Sequence, residues 1–402
     1  MNAKKLILVL LTITAGSALF YLAGPGRKIH SDTSSGNASA FQKLWEFNTG
    51  SRCEGSLAVS DDGTLIAACL DGFVYALDSS GKLQWKTYVG ATVASPTIGS
   101  DGAIYIPNNN GAVFALNRSG TQRWKSIVYP GNTMGYNAGA IGRSMLYSPS
   151  RDGLKAISLS DGRVEWSTDL GTDQHTSVTL MQDGTILFGG HGRLNAVNAE
   201  GDTLWQYPPV SEEALHRNGG YPPPGDFFVS SGITPGPDRL LLAGVGRSSL
   251  AAVGQDGALH WHFESRGTTL NMASPVIASD GTIYFLHSNG HLYAFDSFGN
   301  QKWDLDTHNV VNATPLLAAD GTIFILANRN LCAVSPAGQI LAQVDTGNTV
   351  VSSPTITPEG TIYVVNESGV IGAYAGGHGG LMDSPWPKFQ GDLANTGNSR
   401  TY

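Results

Sequence analysis

Short runs that alternate apolar and polar positions, rich in β-branched and aromatic residues, recur along the whole chain: "TLIAAC" at 64–69, "TILFG" at 185–189, "TIYFL" at 282–286, "TIFIL" at 322–326 and "TIYVV" at 361–365. Such runs are strands. Acid-glycine pairs precede most of them, at Asp62-Gly63, Asp101-Gly102, Asp183-Gly184, Asp280-Gly281, Asp320-Gly321 and Glu359-Gly360. Asp-Gly between two strands predicts a tight hairpin in which both central residues take positive φ.

A second pattern follows each hairpin. In "FVYALDSSGKLQW", Ala76 is followed by Gly81 and Trp85, and the same frame recurs at Ala115/Gly120/Trp124, Ala196/Gly201/Trp205, Ala252/Gly257/Trp261 and Ala294/Gly299/Trp303. Ala156/Gly162/Trp166 carries one extra residue, Ala333/Gly338 has Ala342 in place of Trp, and Ala373 makes an eighth copy. Seven tryptophans, Trp45, Trp85, Trp124, Trp166, Trp205, Trp261 and Trp303, lie 40, 39, 42, 39, 56 and 42 residues apart. Four antiparallel strands per ~40 residues, eight times over, predict an all-β, eight-bladed β-propeller. Trp45 sits on a fourth strand with no preceding three, and the unit ending near Ala373 has three strands and no fourth. The N-terminal strand is therefore expected to complete the last blade. The tryptophans are expected to dock over the small Ala positions and to be structural.

Composition agrees with many short strands and turns: Gly numbers 51 and charged residues are only 14%, against ~7% Gly and ~25% charged in average proteins. A net charge of −8 with no basic block removes nucleic acid from the expected partners. The chain divides into residues 1–23, a signal peptide or N-terminal membrane anchor; 24–40, a flexible tether; 41–375, the propeller; and 376–402, a C-terminal tail packing on it. Two lysines precede the uncharged, mainly apolar run from Leu6 to Ala23, which serves either as a cleaved export signal or as a short span anchoring the chain to the inner membrane. Both place the rest outside the cytoplasm, in the periplasm or at the cell surface. Cys53, Cys69 and Cys332 are too few and scattered for a disulfide framework or zinc site. The hairpin register sets Ser56 rather than Cys53 opposite Cys69, so three small buried hydrophobes are preferred to a bridge.

The units "VYALDSSGKLQW", "LYAFDSFGNQKW" and "VFALNRSGTQRW", with "ASPTIGSDGAIYI" and "SSPTITPEGTIYV", resemble the quinoprotein-type (PQQ) propeller repeats with their tryptophan-docking motif, over essentially all of residues 41–375. The resemblance implies one of two branches. Quinoprotein dehydrogenases hold pyrroloquinoline quinone and calcium in the channel, beneath an adjacent-cysteine disulfide and above a tryptophan floor. The non-enzymatic branch is exemplified by BamB of outer-membrane protein assembly. No Cys-Cys pair exists here and all seven propeller tryptophans belong to the repeat, so the expectation is a scaffold with no cofactor, no metal and no catalytic residues. Its expected partner is an envelope or outer-membrane protein. No Cys follows the apolar run, a departure from BamB's lipoprotein anchor.

Two groups of residues fall outside the repeat. The long gap between Trp205 and Trp261 contains "QYPPVSEEALHRNGGYPPPGDFF", in which Glu212, Glu213, His216, Arg217, Tyr221, Asp226 and Phe227 offer charge and aromatic anchors for a partner; the plainer reading is an insertion that covers one end of the ring. Arg52, Glu54, Asn137, His175, Asn271 and Asn312 precede the first strands of blades. They are placed at a channel rim, where they serve a small polar ligand or bond their own loops. His287, Asn289 and His291 are expected at exposed loop positions. The tail "SPWPKFQGDLANTGNSR", 384–400, resembles a Trp-Pro…Thr-Gly segment that ends some bacterial proteins of this repeat type. Trp386 between two prolines is expected to plug or brace the closing blade.

Overall fold

The computed structural model describes residues 41–128, 138–150, 152–170, 176–190, 192–208, 229, 231–245, 249–265, 273–308, 313–350 and 352–399. These residues form eight four-stranded antiparallel sheets. Blade one shows the plan: Ala58–Val59 innermost, then Leu65–Ala68, Phe73–Leu77 and Leu83–Tyr88 outermost. Blades two to seven repeat it. In blade eight the outer place beside Val370–Ala375 is taken by Gln42–Asn48, with Trp45 opposite Ala373. The N-terminal strand thus closes the ring, as the repeat count requires.

The middle strands are buried on both faces and carry Val, Ile, Leu, Ala and Tyr, while the outer strands alternate between exposed and half-buried positions. Blade faces meet as a chain of apolar clusters, such as Tyr105, Ala115 and Trp124 with Ile141, Leu146 and Ile157 between blades two and three.

The hairpins differ from expectation in one respect. Asp62, Asp101, Asp183, Asp280 and Asp320 keep negative φ, and only the glycines are left-handed, Gly63 at +81°. The Gly63 N–H donates to Ser60 O and Ser60 N–H to Thr64 O, a three-residue loop that needs a single left-handed residue. The aspartate accepts instead, taking the Thr64 N–H at 3.0 Å.

Each tryptophan reaches across to the next blade. The indole N–H of Trp85 donates to Arg118 O at 2.8 Å, Trp124 to Leu159 O at 2.9 Å and Trp303 to Pro336 O at 3.0 Å. Its ring lies on the next blade's turn glycine: a Cβ on Gly338 would come 2.8 Å from Trp303 Cε3, and one on Gly81 would come 2.6 Å from Trp45 Cδ2. The alanine is only the cross-strand partner, as in Ala294–Trp303. What receives the indole is the bare glycine turn.

Near the axis a second ring of contacts links blades. Ser353 N–H donates to Ser56 Oγ, Ser56 N–H to Ser95 Oγ, Ser274 N–H to Thr314 Oγ1 and Thr314 N–H to Ser353 Oγ, at 2.8–3.2 Å. This is the structural reason for the small hydroxyl residues before the inner strands of blades one, two, seven and eight.

Candidate functional site

The ring has two different ends. At the hairpin face lie the turns joining first to second and third to fourth strands; at the connector face lie the second-to-third turns and the links between blades.

The C-terminal tail crosses the hairpin face. Inner strands present an unpaired edge to the channel, and an unpaired N–H there needs a partner. The tail supplies one for six blades: Val59, Ile98, Ile141, Leu180, Ile277 and Leu317 donate to the carbonyls of Leu393, Ala394, Thr396, Gly397, Trp386 and Pro387, at 2.7–3.0 Å. Pro235 stands at the corresponding place in blade five (Thr234–Pro235) and has no N–H to offer. There the tail's two passages leave a cavity of about 630 Å³, lined by Pro235, Pro237, Arg239, Gln255, Pro385 and Ser399 among others. Trp386 is 2% exposed and packs on Leu240, Leu242, Ile277 and Phe285 of blades five and six rather than on the closing blade. Lys388, fully buried, donates to Phe389 O, Asp392 O and Asn395 Oδ1. Asn395 in turn donates toward Ser56 O, Leu57 O and Pro96 O. The tail is therefore a hydrogen-bonded plug.

The connector face carries the residues singled out from sequence. Arg52 and Glu54 pair at 2.7 Å, and Arg52 also reaches Glu367 of blade eight at 3.5 Å. The Glu54 side chain is only 7% exposed, and its Oε2 has no hydrogen-bond partner among the described residues. Asn137, His175, Asn271 and Asn312 lie outside the described residues, as do Glu212, Glu213, His216, Arg217, Tyr221, Asp226 and Phe227. The strands that flank this insertion, Thr203–Tyr207 and Thr234–Pro235, are the outer strand of blade four and the inner strand of blade five. Their facing ends open on the connector face.

Cys53 and Cys69 form a disulfide, against the preference for free thiols. The inner strand is only two residues long, so the segment before it leaves the sheet. Leu70 N–H then bonds Arg52 O at 2.9 Å and brings Cys53 beside Cys69. The bridge occupies a recurrent position. Asn108 and Asn366, which follow the second strands of blades two and eight, donate to Val89 O and Thr346 O at the ends of the preceding outer strands. His287 follows the second strand of blade six and meets Ser265 Oγ at 3.1 Å through Nε2, its Nδ1 accepting the Asn289 N–H. His287 is fully buried, not exposed as expected, because this position ties blade to blade. His291 opens the third strand of blade six, and Asn289 accepts its N–H. At the same face burial and Asp71 push the Tyr75 hydroxyl up to about 12.

The described residues do not assemble the quinone site that the resemblance implies. The disulfide joins cysteines 16 positions apart rather than neighbours, and Trp386 is buried in the plug. Six of the seven repeat indoles, those of Trp45, Trp85, Trp124, Trp166, Trp261 and Trp303, donate to the next blade. Among the described residues no three His, Cys, Asp or Glu gather to hold a cation.

Comparison with known proteins agrees with this architecture. A search of curated proteins finds no significant match. BamB from Moraxella catarrhalis superposes with a TM-score of 0.64 over 84% of this chain and 100% of that one, at 16% identity. The computationally designed Ika8 protein does so with a TM-score of 0.66 over 83% and 99%, at 11% identity. At these identities the likeness is one of fold. The sequence itself matches the family model PQQ_2, described as outer membrane protein assembly factor BamB, over residues 37–186, 109–223 and 190–391, and the chain belongs to that family.

Proposed function

We propose that this chain is an exported, non-catalytic scaffold of the bacterial envelope that presents its connector face to a protein partner. The observation that carries the reading is the plug. With the hairpin face bonded to the chain's own tail across six blades, the connector face is the end left for a guest. Arg52, Glu54 and the strand ends that flank residues 209–228 belong to that face. Export is supported by the Cys53–Cys69 disulfide, since such bridges persist in oxidising compartments, and by the apolar N-terminal run. Membership of the BamB family supports an envelope or outer-membrane protein as the partner.

Photo-crosslinking in envelope membranes tests this. A crosslinker at Asn110 or Ser368, exposed on the connector face, is expected to capture one polypeptide. At Ser79 or Phe298, exposed on the hairpin face, it should capture none. Deleting residues 210–224 is expected to spare folding and weaken capture. Capture from the hairpin face alone would refute the orientation. A quinone chromophore with alcohol-dependent dye reduction, after adding the quinone and calcium, would refute the scaffold reading.

A further inference from the structure

Blade five departs from its siblings at the hairpin face, and the departures meet at the cavity of about 630 Å³ beside Pro235. The first is its turn. In six blades the left-handed place is a glycine, Gly63, Gly102, Gly184, Gly281, Gly321 or Gly360, with φ from +74° to +89°. In blade five the Gly236 N–H donates to Leu240 O as Ser60 N–H does to Thr64 O, which puts Arg239 in the place of Gly63. Arg239 has φ +61°, and Asp238 before it has +54°. Both residues are exposed and line the cavity. Left-handed backbone is unfavourable for a residue with a Cβ, and strain of this kind is retained where a site needs it. The arginine is also held, its Nε donating to Gln255 Oε1 at 3.0 Å.

The second departure is Pro235 itself. It stands opposite Leu241 as Leu180 stands opposite Ile186 and Leu317 opposite Ile323. Leu180 and Leu317 turn both peptide groups to the tail: their N–H groups donate to it, and their carbonyls accept Ser399 N–H and Met382 N–H, each at 2.9 Å. Pro235 keeps the carbonyl and lacks the N–H. Among the described residues none donates to that carbonyl. A peptide strand laid there would satisfy it, but would turn its own carbonyl to the proline ring with no donor to meet it. The place therefore selects a ligand that donates without needing a return bond, an amide N–H that is not part of a strand.

The walls narrow the ligand further. Arg239 and Gln255 donate, Asp183 and Asp238 accept, and Met181 and Pro385 are apolar. One guanidinium among two carboxylates gives an anion no net attraction, and among the described residues no ligand set for a cation exists. No aromatic ring lines the cavity among the described residues to stack a nucleobase. Its volume is within the ~300–1,000 Å³ of small-molecule sites. An uncharged molecule dense in both donors and acceptors, with an isolated amide N–H, is an acetamido sugar.

We propose that the hairpin end of blade five is a binding site for acetamido-sugar oligosaccharides, the acetamido N–H donating to Pro235 O and the hydroxyls bonding Arg239 and Asp238. The site lies at the end of the ring opposite the connector face and does not rest on the scaffold reading.

Calorimetric titration of the full-length protein with tri-N-acetylchitotriose tests this, against cellotriose, which carries hydroxyls where the first sugar carries acetamido groups. Chitotriose is expected to bind and to raise the thermal midpoint with increasing concentration. Cellotriose should bind about tenfold more weakly, the worth of one hydrogen bond to a buried carbonyl. Arg239→Gly removes the guanidinium and the strain together, since glycine takes positive φ freely; it should melt higher than the parent and bind chitotriose about tenfold more weakly. Absence of chitotriose binding, equal binding of the two sugars, or undiminished binding in Arg239→Gly whatever its midpoint would overturn the site. So would binding that appears only after deletion of residues 400–402, since the cavity would then be a seat for the chain itself. Failure of connector-face crosslinking with chitotriose binding intact would sink the scaffold reading and leave this site standing.

Discussion

Two glycine-to-alanine substitutions separate backbone strain from blade docking. Gly63 and Gly338 have nearly the same left-handed backbone, φ +81° and +79°. An added Cβ at Gly63 meets nothing within 4 Å, whereas at Gly338 it comes 2.8 Å from Cε3 and 2.9 Å from Cδ2 of Trp303. The left-handed conformation costs alanine about 1–2 kcal/mol, partly offset by about 0.4–1 kcal/mol from a less flexible unfolded chain. Gly63→Ala should therefore cost about 1 kcal/mol. Gly338→Ala carries the same term and must also lift the indole from its seat, an overpacking cost of about 1–3 kcal/mol, giving about 2–4 in all. Trp303→Ala alone should cost about 3 kcal/mol, the low end for a tryptophan, because this indole is only partly buried. With the indole gone the crowding vanishes, so the double variant should show a coupling of about 1–3 kcal/mol between the two sites. Urea unfolding of the four proteins measures each quantity. If Gly338→Ala costs no more than Gly63→Ala, or costs the same with and without Trp303, the glycine turn is not the seat of the indole.

Four further outcomes are expected. Replacing Cys53 and Cys69 by serine should cost about 3 kcal/mol for a loop of 16 residues. Thiol titration of the native protein should find no reactive group, because burial pushes the Cys332 thiol up to about 11; a thiol reactive without denaturant would contradict this. The Ser60 hydroxyl and the Thr64 N–H hold the Asp62 carboxyl below its ordinary 3.8, so the stability it lends is complete above that value and lost as pH falls through the lower folded value. Asp62→Asn should flatten the slope of stability against pH in that acid window, and an unchanged slope would refute the assignment. Trp386→Ala should cost about 3–5 kcal/mol and release the amides of Val59, Ile98, Ile141, Leu180, Ile277 and Leu317 to hydrogen exchange; continued protection of these six would show that the plug does not depend on its tryptophan.

The fold was legible because each blade repeats the same solution to the same packing problem, so eight weak strand patterns reinforce one another. What was not legible depends on contacts between blades. The Trp303–Ala294 spacing shows the cross-strand partner, but the seat on Gly338 belongs to another unit and leaves no local periodicity. His287 resembles a loop histidine until the link to Ser265 of the preceding outer strand is seen. Cys53 could not be paired with Cys69 by counting, because the register stops at a two-residue strand. Arg52 and Glu54 were found from their place before an inner strand.

The one failure of the tryptophan pattern follows from how the ring closes. An indole needs a glycine turn between the third and fourth strands of the next blade, and in blade eight those strands, Val370–Ala375 and Gln42–Asn48, come from opposite ends of the chain. No such turn exists, so a tryptophan at 342 would have no seat, and Ala342 stands opposite Ala333 instead. The space is closed otherwise. Phe324 takes the position from which Tyr284 meets Trp303 and Tyr363 meets Trp45, and its ring is met by Phe41 at 5.9 Å and by His378 at 5.2 Å. One residue precedes the first strand and the other follows the last, so both ends of the ring converge on one aromatic side chain. Phe41→Ala should therefore loosen the closing pair selectively: amides of Gln42–Asn48 and Val370–Ala375 should exchange faster while those of blades two to six keep their protection. Uniform loss of protection around the ring would mean that Phe41 supports the whole propeller and not its closure.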